Sequence, residues 1–141
     1  PGADAVALPS PDLARLAGVR ALVVDDEEDA RMLVATVLRR SGAEVRLAGS
    51  AAEALEMLHD ADLDVLVSDI GMPDLDGITL IHRIRALPPP TCRIPAVAVT
   101  AYARSEDRDR AVAAGYDGFL SKPLDVDALA AIVARAVGRV E

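Results

Sequence analysis

At 141 residues the chain is most simply one domain, long enough to bury about 70% of the surface its unfolded form exposes. Apolar residues make up 52%, yet only Tyr102, Tyr116 and Phe119 are aromatic, so the core is expected from Val, Leu, Ile and Ala. Fifteen basic against 23 acidic residues give a net charge of −8, which opposes binding to a phosphate backbone and fits a cation or a basic partner surface.

The lone Cys92 excludes an internal disulfide or a Cys-based metal cluster. No apolar run approaches the ~20 residues of a membrane span, and no basic-then-apolar leader is present. The expected location is the cytoplasm. Residues 1–18 read as a linker or N-terminal extension, punctuated by Pro1, Gly2, Pro9 and Pro11, with a turn of helix from Asp12 to Ala17. A start at Pro1 reads as a cut fragment or a processed initiator Met.

From Arg20 the pattern alternates. Ala21–Val24 is an apolar strand, and Asp29–Arg40 is a helix with Leu33, Val34, Val37 and Leu38 on one face, closed by Ser41 and Gly42. Glu44–Ala48 alternates as a second strand, and Ser50 caps a helix to about His59 with Glu53 in capping-box position. Val65–Asp69 is the third strand, stopped by Gly71 and Pro73. Asp76–Leu87 follows as a helix with Leu80, Ile81, Ile84 and Leu87 inward, ended by three prolines. Pro95–Thr100 is the fourth strand, and Arg104–Ala114 a charged helix with a thin apolar stripe. Asp117–Ser121 is the fifth strand, and Asp125–Gly138 a last helix with Val126, Leu129, Ala130, Val133 and Val137 inward. Five strands alternating with five helices predict a doubly wound α/β fold, a parallel sheet with helices on both faces. Right-handed crossovers then bring every strand's carboxyl end to one edge.

At that edge Asp25, Asp26 and Asp69 converge. Two carboxylates ~4 Å apart repel by about 4 kcal/mol at an effective dielectric near 20, so one takes a proton or a cation sits among them. Hard oxygen ligands favour Mg²⁺, which keeps waters and bridges to phosphoryl oxygens. Such a site suits phosphoryl transfer, and a carboxylate can be the nucleophile. Asp69 is the candidate, since a tight turn exposes it. Lys122 supplies a point charge for a phosphoryl oxygen, and Thr100 a hydroxyl beside small Ala101. Taken singly, Asp25 and Asp26 read as helix-capping acids, Thr100 as a β-branched strand residue, Lys122 as a surface charge, and Asp74 and Asp76 as turn and N-cap residues. His59 and His82 have no partners at metal-ligand spacing. The joint occurrence of these groups on successive strand ends favours the site.

The segments Val23–Glu27 (VVDDE), Ser68–Gly77 (SDIGMPDLDG), Val99–Ala103 (VTAYA) and Ala113–Asp125 (AAGYDGFLSKPLD) resemble the receiver domain of bacterial two-component signalling, over roughly Val19–Val137. The resemblance implies a flavodoxin-like strand order 2-1-3-4-5 within a receiver domain at residues 19–141. It makes Asp69 the phosphoacceptor, with Mg²⁺ held by Asp25, Asp26, Asp69 and the Gly71 backbone carbonyl. Thr100 corresponds to the switch hydroxyl, Lys122 to the family lysine and Phe119 to the switch aromatic. The implied partner is a histidine kinase or a histidine phosphotransfer protein, with no nucleic acid or membrane contacted by this domain and a homodimer left open. The domain would catalyse only its own phosphorylation and dephosphorylation. The wording around DIGMP and TAYAR resembles receivers of hybrid histidine kinases. A terminal, stand-alone or trimmed receiver agrees with an end at Glu141. Two other classes compete: a phosphorylation-independent interaction module, and a phosphohydrolase of haloacid-dehalogenase type. The latter wants a second acid two residues after the nucleophile, where Gly71 stands.

Overall fold

The computed structural model describes residues 15–60, 62–72, 76–101 and 104–138. Of the expectations above, residues 12–14 of the early turn, Asp74 and Tyr102 lie outside these. The strands are β1 (Arg20–Val24), β2 (Glu44–Ala48), β3 (Val65–Asp69), β4 (Ala96–Thr100) and β5 (Gly118–Ser121). They alternate with helices α1 (Glu28–Arg40), α2 (Ala51–Asp60), α3 (Gly77–Arg85), α4 (Ser105–Ala114) and α5 (Val126–Ala136). All four strand pairings are parallel, in the order β2-β1-β3-β4-β5.

Strand residues point alternately to opposite faces, and here both faces are covered. Leu22, Val24, Leu66, Ala96 and Ala98 join Leu80, Ile81, Ile84 and Ala111 in one buried layer. Ala21, Val23, Val65, Val67, Val97 and Val99 join Val34, Leu38, Leu129 and Val133 in the other. Near-continuous apolar strands are what burial on both faces demands. Leu16, in the expected extension, is fully buried in that second layer, and its N–H donates to the Ser41 carbonyl at 2.7 Å.

Local signals behave largely as their chemistry requires. Ser50 Oγ accepts the Glu53 N–H at 3.1 Å, while Glu53 Oε1 reaches back to the Gly49 N–H at 2.7 Å. Asp76 and Asp125 cap α3 and α5 through the N–H groups of Thr79 and Ala128. The Thr79 N–H holds the Asp76 carboxyl below its usual value. Gly115 ends α4 at φ +129, a conformation that disfavours any side chain.

Three expectations need correction. Leu33 and Val126, expected inward, are 51% and 54% exposed, because each lies at the margin of an apolar stripe wider than the surface its neighbours cover. Helix α3 stops at Arg85, before Leu87 and the prolines, since the Ala86 N–H turns back to the Arg83 carbonyl. A short 3₁₀ turn, Thr91–Arg93, then leads into β4. The alternative reading of Asp25 and Asp26 as caps of α1 is not met, since the N-cap is Glu27 with no side-chain bond.

Candidate phosphoryl and metal site at the sheet edge

From β1 the chain winds outward to β2, then crosses back to β3 on the other side of β1. Ligand sites of open α/β sheets form where the winding reverses, outside the strand carboxyl ends. Asp25 and Asp26 follow β1, and Asp69 ends β3, so the reversal brings the three acids together. Their carboxylate oxygens lie within 4.8 Å of one another.

Each acid is held differently. Asp25 is buried, and its Oδ1 accepts the Glu27 N–H at 3.0 Å. Arg31, reaching back from the first turns of α1, donates to the Asp25 carbonyl at 2.8 Å and so pins the loop. Asp26 is exposed. Asp69 has an 11% exposed side chain, and its Oδ1 accepts the Gly71 N–H at 3.2 Å. Lys122, just beyond β5, places its ammonium 3.3 Å from Asp25 Oδ2 and 3.8 Å from Asp69 Oδ2. Its N–H donates to the Thr100 carbonyl at 2.9 Å, so β4 positions the β5–α5 loop.

Burial drives the Asp69 carboxyl above its ordinary value; the Gly71 N–H and Lys122 oppose this, and Asp25 and Asp26 add to it. Three carboxylates against one ammonium leave an excess of negative charge. Hard oxygen donors in that arrangement fit a divalent cation. Thr100 is fully buried and underlies an open cleft of about 310 Å³ that also borders Gly71, Asp76, Asp107 and Arg110. Phe119 is half-buried against the core, with the Arg108 guanidinium 5.7 Å from its ring centre. His59 and His82 are exposed on helices and do not join the clustered ligand atoms of Asp25, Asp26 and Asp69.

The structure therefore brings together Asp25, Asp26, Asp69 and Lys122, with Gly71 adjoining and Thr100 beneath. Sequence reasoning missed Arg31, which holds the loop carrying Asp25. The spacing of Arg31, within the first turns after the acids, was a usable signal.

A doubly wound sheet with acids at its reversal and a lysine just beyond the last strand defines a carboxylate phosphoacceptor switch. The chain belongs to the response regulator receiver domain family, whose profile matches residues 21–134. It is 46% identical over 110 residues to a 14.6 kDa protein encoded beside sodA1 in Leptolyngbya boryana, covering 78% of this chain and 83% of that one. It is 40% identical over 108 residues to the sensor histidine kinase RcsC of Salmonella typhi, covering 77% of this chain but only 11% of that kinase. Among solved structures, the chemotaxis protein CheY4 of Vibrio cholerae superposes with a TM-score of 0.77 at 28% identity, covering 84% of this chain and 98% of that one. The Francisella response regulator 1452 receiver domain gives 0.79 at 27% identity, covering 88% and 100%. The function is that of the family, a phosphoacceptor switch in two-component signalling, in which receivers interact with histidine kinases or phosphotransfer proteins. Among the described residues no helix is long and apolar enough to cross a membrane.

Proposed function

We propose that Asp69 is the phosphoacceptor of a phosphorelay, taking its phosphoryl group from the phosphohistidine of a histidine kinase or a histidine phosphotransfer protein. The observation that carries this is the Lys122 ammonium set between Asp25 Oδ2 and Asp69 Oδ2, at 3.3 and 3.8 Å. An arriving phosphoryl group meets a nucleophile and a cation there at once. An Asp69 carboxylate oxygen attacks phosphorus, the phosphorus–nitrogen bond breaks, and its electron pair leaves on the imidazole.

Lys122 then pairs with one phosphoryl oxygen, and the Thr100 hydroxyl turns toward another. Asp25, Asp26, Asp69 and the Gly71 carbonyl would hold Mg²⁺, which when bound neutralises charge on the phosphoryl oxygens. Movement of Thr100 opens space into which Phe119 turns, and the face of α4, β5 and α5 changes for a downstream partner or a second copy. We take residues 19–141 as the receiver and 1–18 as its extension. A cytoplasmic setting suits it, without nucleic-acid or membrane contacts of its own, and a hybrid histidine kinase is one parent that accommodates it.

The test is labelling by a small phosphodonor with Mg²⁺. Wild type is expected to form a base-labile acyl phosphate and Asp69→Asn none. Undiminished label on a folded variant removes Asp69 from the role.

A further inference from the structure

We propose that Tyr116 is a positioning residue for the phosphoryl pocket: its buried hydroxyl fastens Gly77 at the neck of the β3–α3 loop and so fixes the turn that presents Asp69 and Gly71. The inference rests on Asp69 being the phosphoacceptor. The loop leaves β3 at Ile70 and returns to the same point at Gly77, whose N–H donates to the Ile70 carbonyl at 2.8 Å. Gly77 is hemmed in. A Cβ there would lie 2.7 Å from the Asp69 carbonyl oxygen, 2.8 Å from Ile70 Cα and 3.0 Å from the Tyr116 hydroxyl. One wall of the neck is thus Asp69 backbone, the second is the backbone of the next residue, Ile70, and the third is the tyrosine.

The Tyr116 hydroxyl donates to the Gly77 carbonyl at 2.8 Å, using the lone pair that α3 leaves over. Beside it, Ser68 Oγ donates to the Asp69 carbonyl at 2.9 Å. The ring is 3% exposed, and burial drives its hydroxyl's pKa up, so it stays a donor. A phenylalanine would fill the same space without a buried polar atom to satisfy, so the hydroxyl has a use beyond packing.

The clamp also has a firm base. The Tyr116 N–H donates to the Ala111 carbonyl at 3.0 Å, and the neighbouring Gly115 carbonyl accepts from Arg85 Nη2 at 2.7 Å and Nε at 3.1 Å. Arg85 belongs to α3, so the helix that starts at the neck grips the loop that carries the clamp. A shift of Gly77 is passed to Asp69 and Gly71 through Ile70, which stands between them in the chain and whose carbonyl accepts the Gly77 N–H.

The experiment compares wild type, Tyr116→Phe and Tyr116→Leu in three readings: urea midpoint, Mg²⁺ affinity by NMR titration of the Gly71 amide, and acyl-phosphate formation from a small donor at saturating Mg²⁺. Tyr116→Phe is expected to keep most of its stability yet lose about ten-fold in phosphorylation rate, with weaker Mg²⁺ binding and faster hydrogen exchange at Gly77. Tyr116→Leu is expected to lose far more stability but to match the Phe variant in rate, since both lack the hydroxyl. Wild-type rate and affinity in Tyr116→Phe overturn the proposal, as does a rate that tracks stability across the two variants. Should Asp69→Asn label like wild type, the phosphoacceptor assignment fails by itself; unchanged Gly71 shifts and Gly77 exchange in Tyr116→Phe would still overturn the clamp.

Discussion

Replacing Asp69 by Asn is expected to stabilise the metal-free protein at neutral pH. Asp69 and Asp25 have oxygens no more than 4.8 Å apart, a repulsion of about 3 kcal/mol at an effective dielectric of 20. Lys122 at 3.8 Å returns about 4 kcal/mol by the same arithmetic, less screening at its partly exposed ammonium. Asp26, being exposed, adds only a fraction. The charge terms nearly cancel, and the burial cost that raises the Asp69 pKa remains. Asn keeps an oxygen for the Gly71 N–H and removes the charge, so the gain should be of order 1 kcal/mol, or about 3–5 °C in Tm. Because the folded pKa is raised, the wild-type penalty is absent below the ordinary aspartate value of 3.8 and appears as pH rises through the folded pKa. The variant's advantage should therefore fade on acidification. Mg²⁺ should reverse the order, since a ligand at ten times its Kd adds about 1.4 kcal/mol to wild type alone. Urea unfolding at several pH values, with and without Mg²⁺, checks all three. A folded Asn variant less stable than metal-free wild type at pH 7 would refute the reasoning.

Asp26→Ala should lower Mg²⁺ affinity sharply by removing a hard ligand while lowering repulsion in the metal-free state; equal affinities in a titration would sink the metal assignment. Arg85→Ala should cost about 2–4 kcal/mol, because the Cys92, Ile94 and Gly115 carbonyls all lose a charged donor, and the urea midpoint reports it. Gly77→Ala should cost about 2 kcal/mol and disturb the Asp69 backbone, whose carbonyl lies 2.7 Å from the added methyl position. In a beryllofluoride complex the Phe119 ring and α4 resonances should shift with those of Thr100; changes confined to the pocket would refute the switch.

What was legible in the sequence was what depends on near neighbours. The bounds of β2 and β3 emerged intact, because alternation or an apolar run ends there at a turn residue. Asp76 and the Ser50–Glu53 pair were legible because caps act over three residues. The cluster of Asp25, Asp26, Asp69 and Lys122 was legible because parallel topology alone sends strand ends to one edge. Helical periodicity, by contrast, places Leu33 on a face without saying how far neighbouring elements extend over it. The bonds that set the loops were hidden for a related reason: Tyr116 to Gly77 spans 39 residues and Arg85 to Gly115 spans 30. Nothing local to Tyr116 says which carbonyl its hydroxyl will meet.

The division between what repels and what restrains explains how a cluster with excess negative charge survives in a domain whose total stability is of the order of 10 kcal/mol. The acids repel through their side chains, yet the restraints act mainly on backbone atoms. Arg31 holds the Asp25 carbonyl, the Gly77 N–H holds Ile70, and the Lys122 N–H is held by Thr100. Protonation, metal binding or phosphorylation changes the charge on the carboxylates without cutting any of these bonds. The pocket can thus pass between charge states with its loops anchored, and on the proposed reading the electrostatic change is left to act on two side chains, Lys122 at the rim and Thr100 beneath.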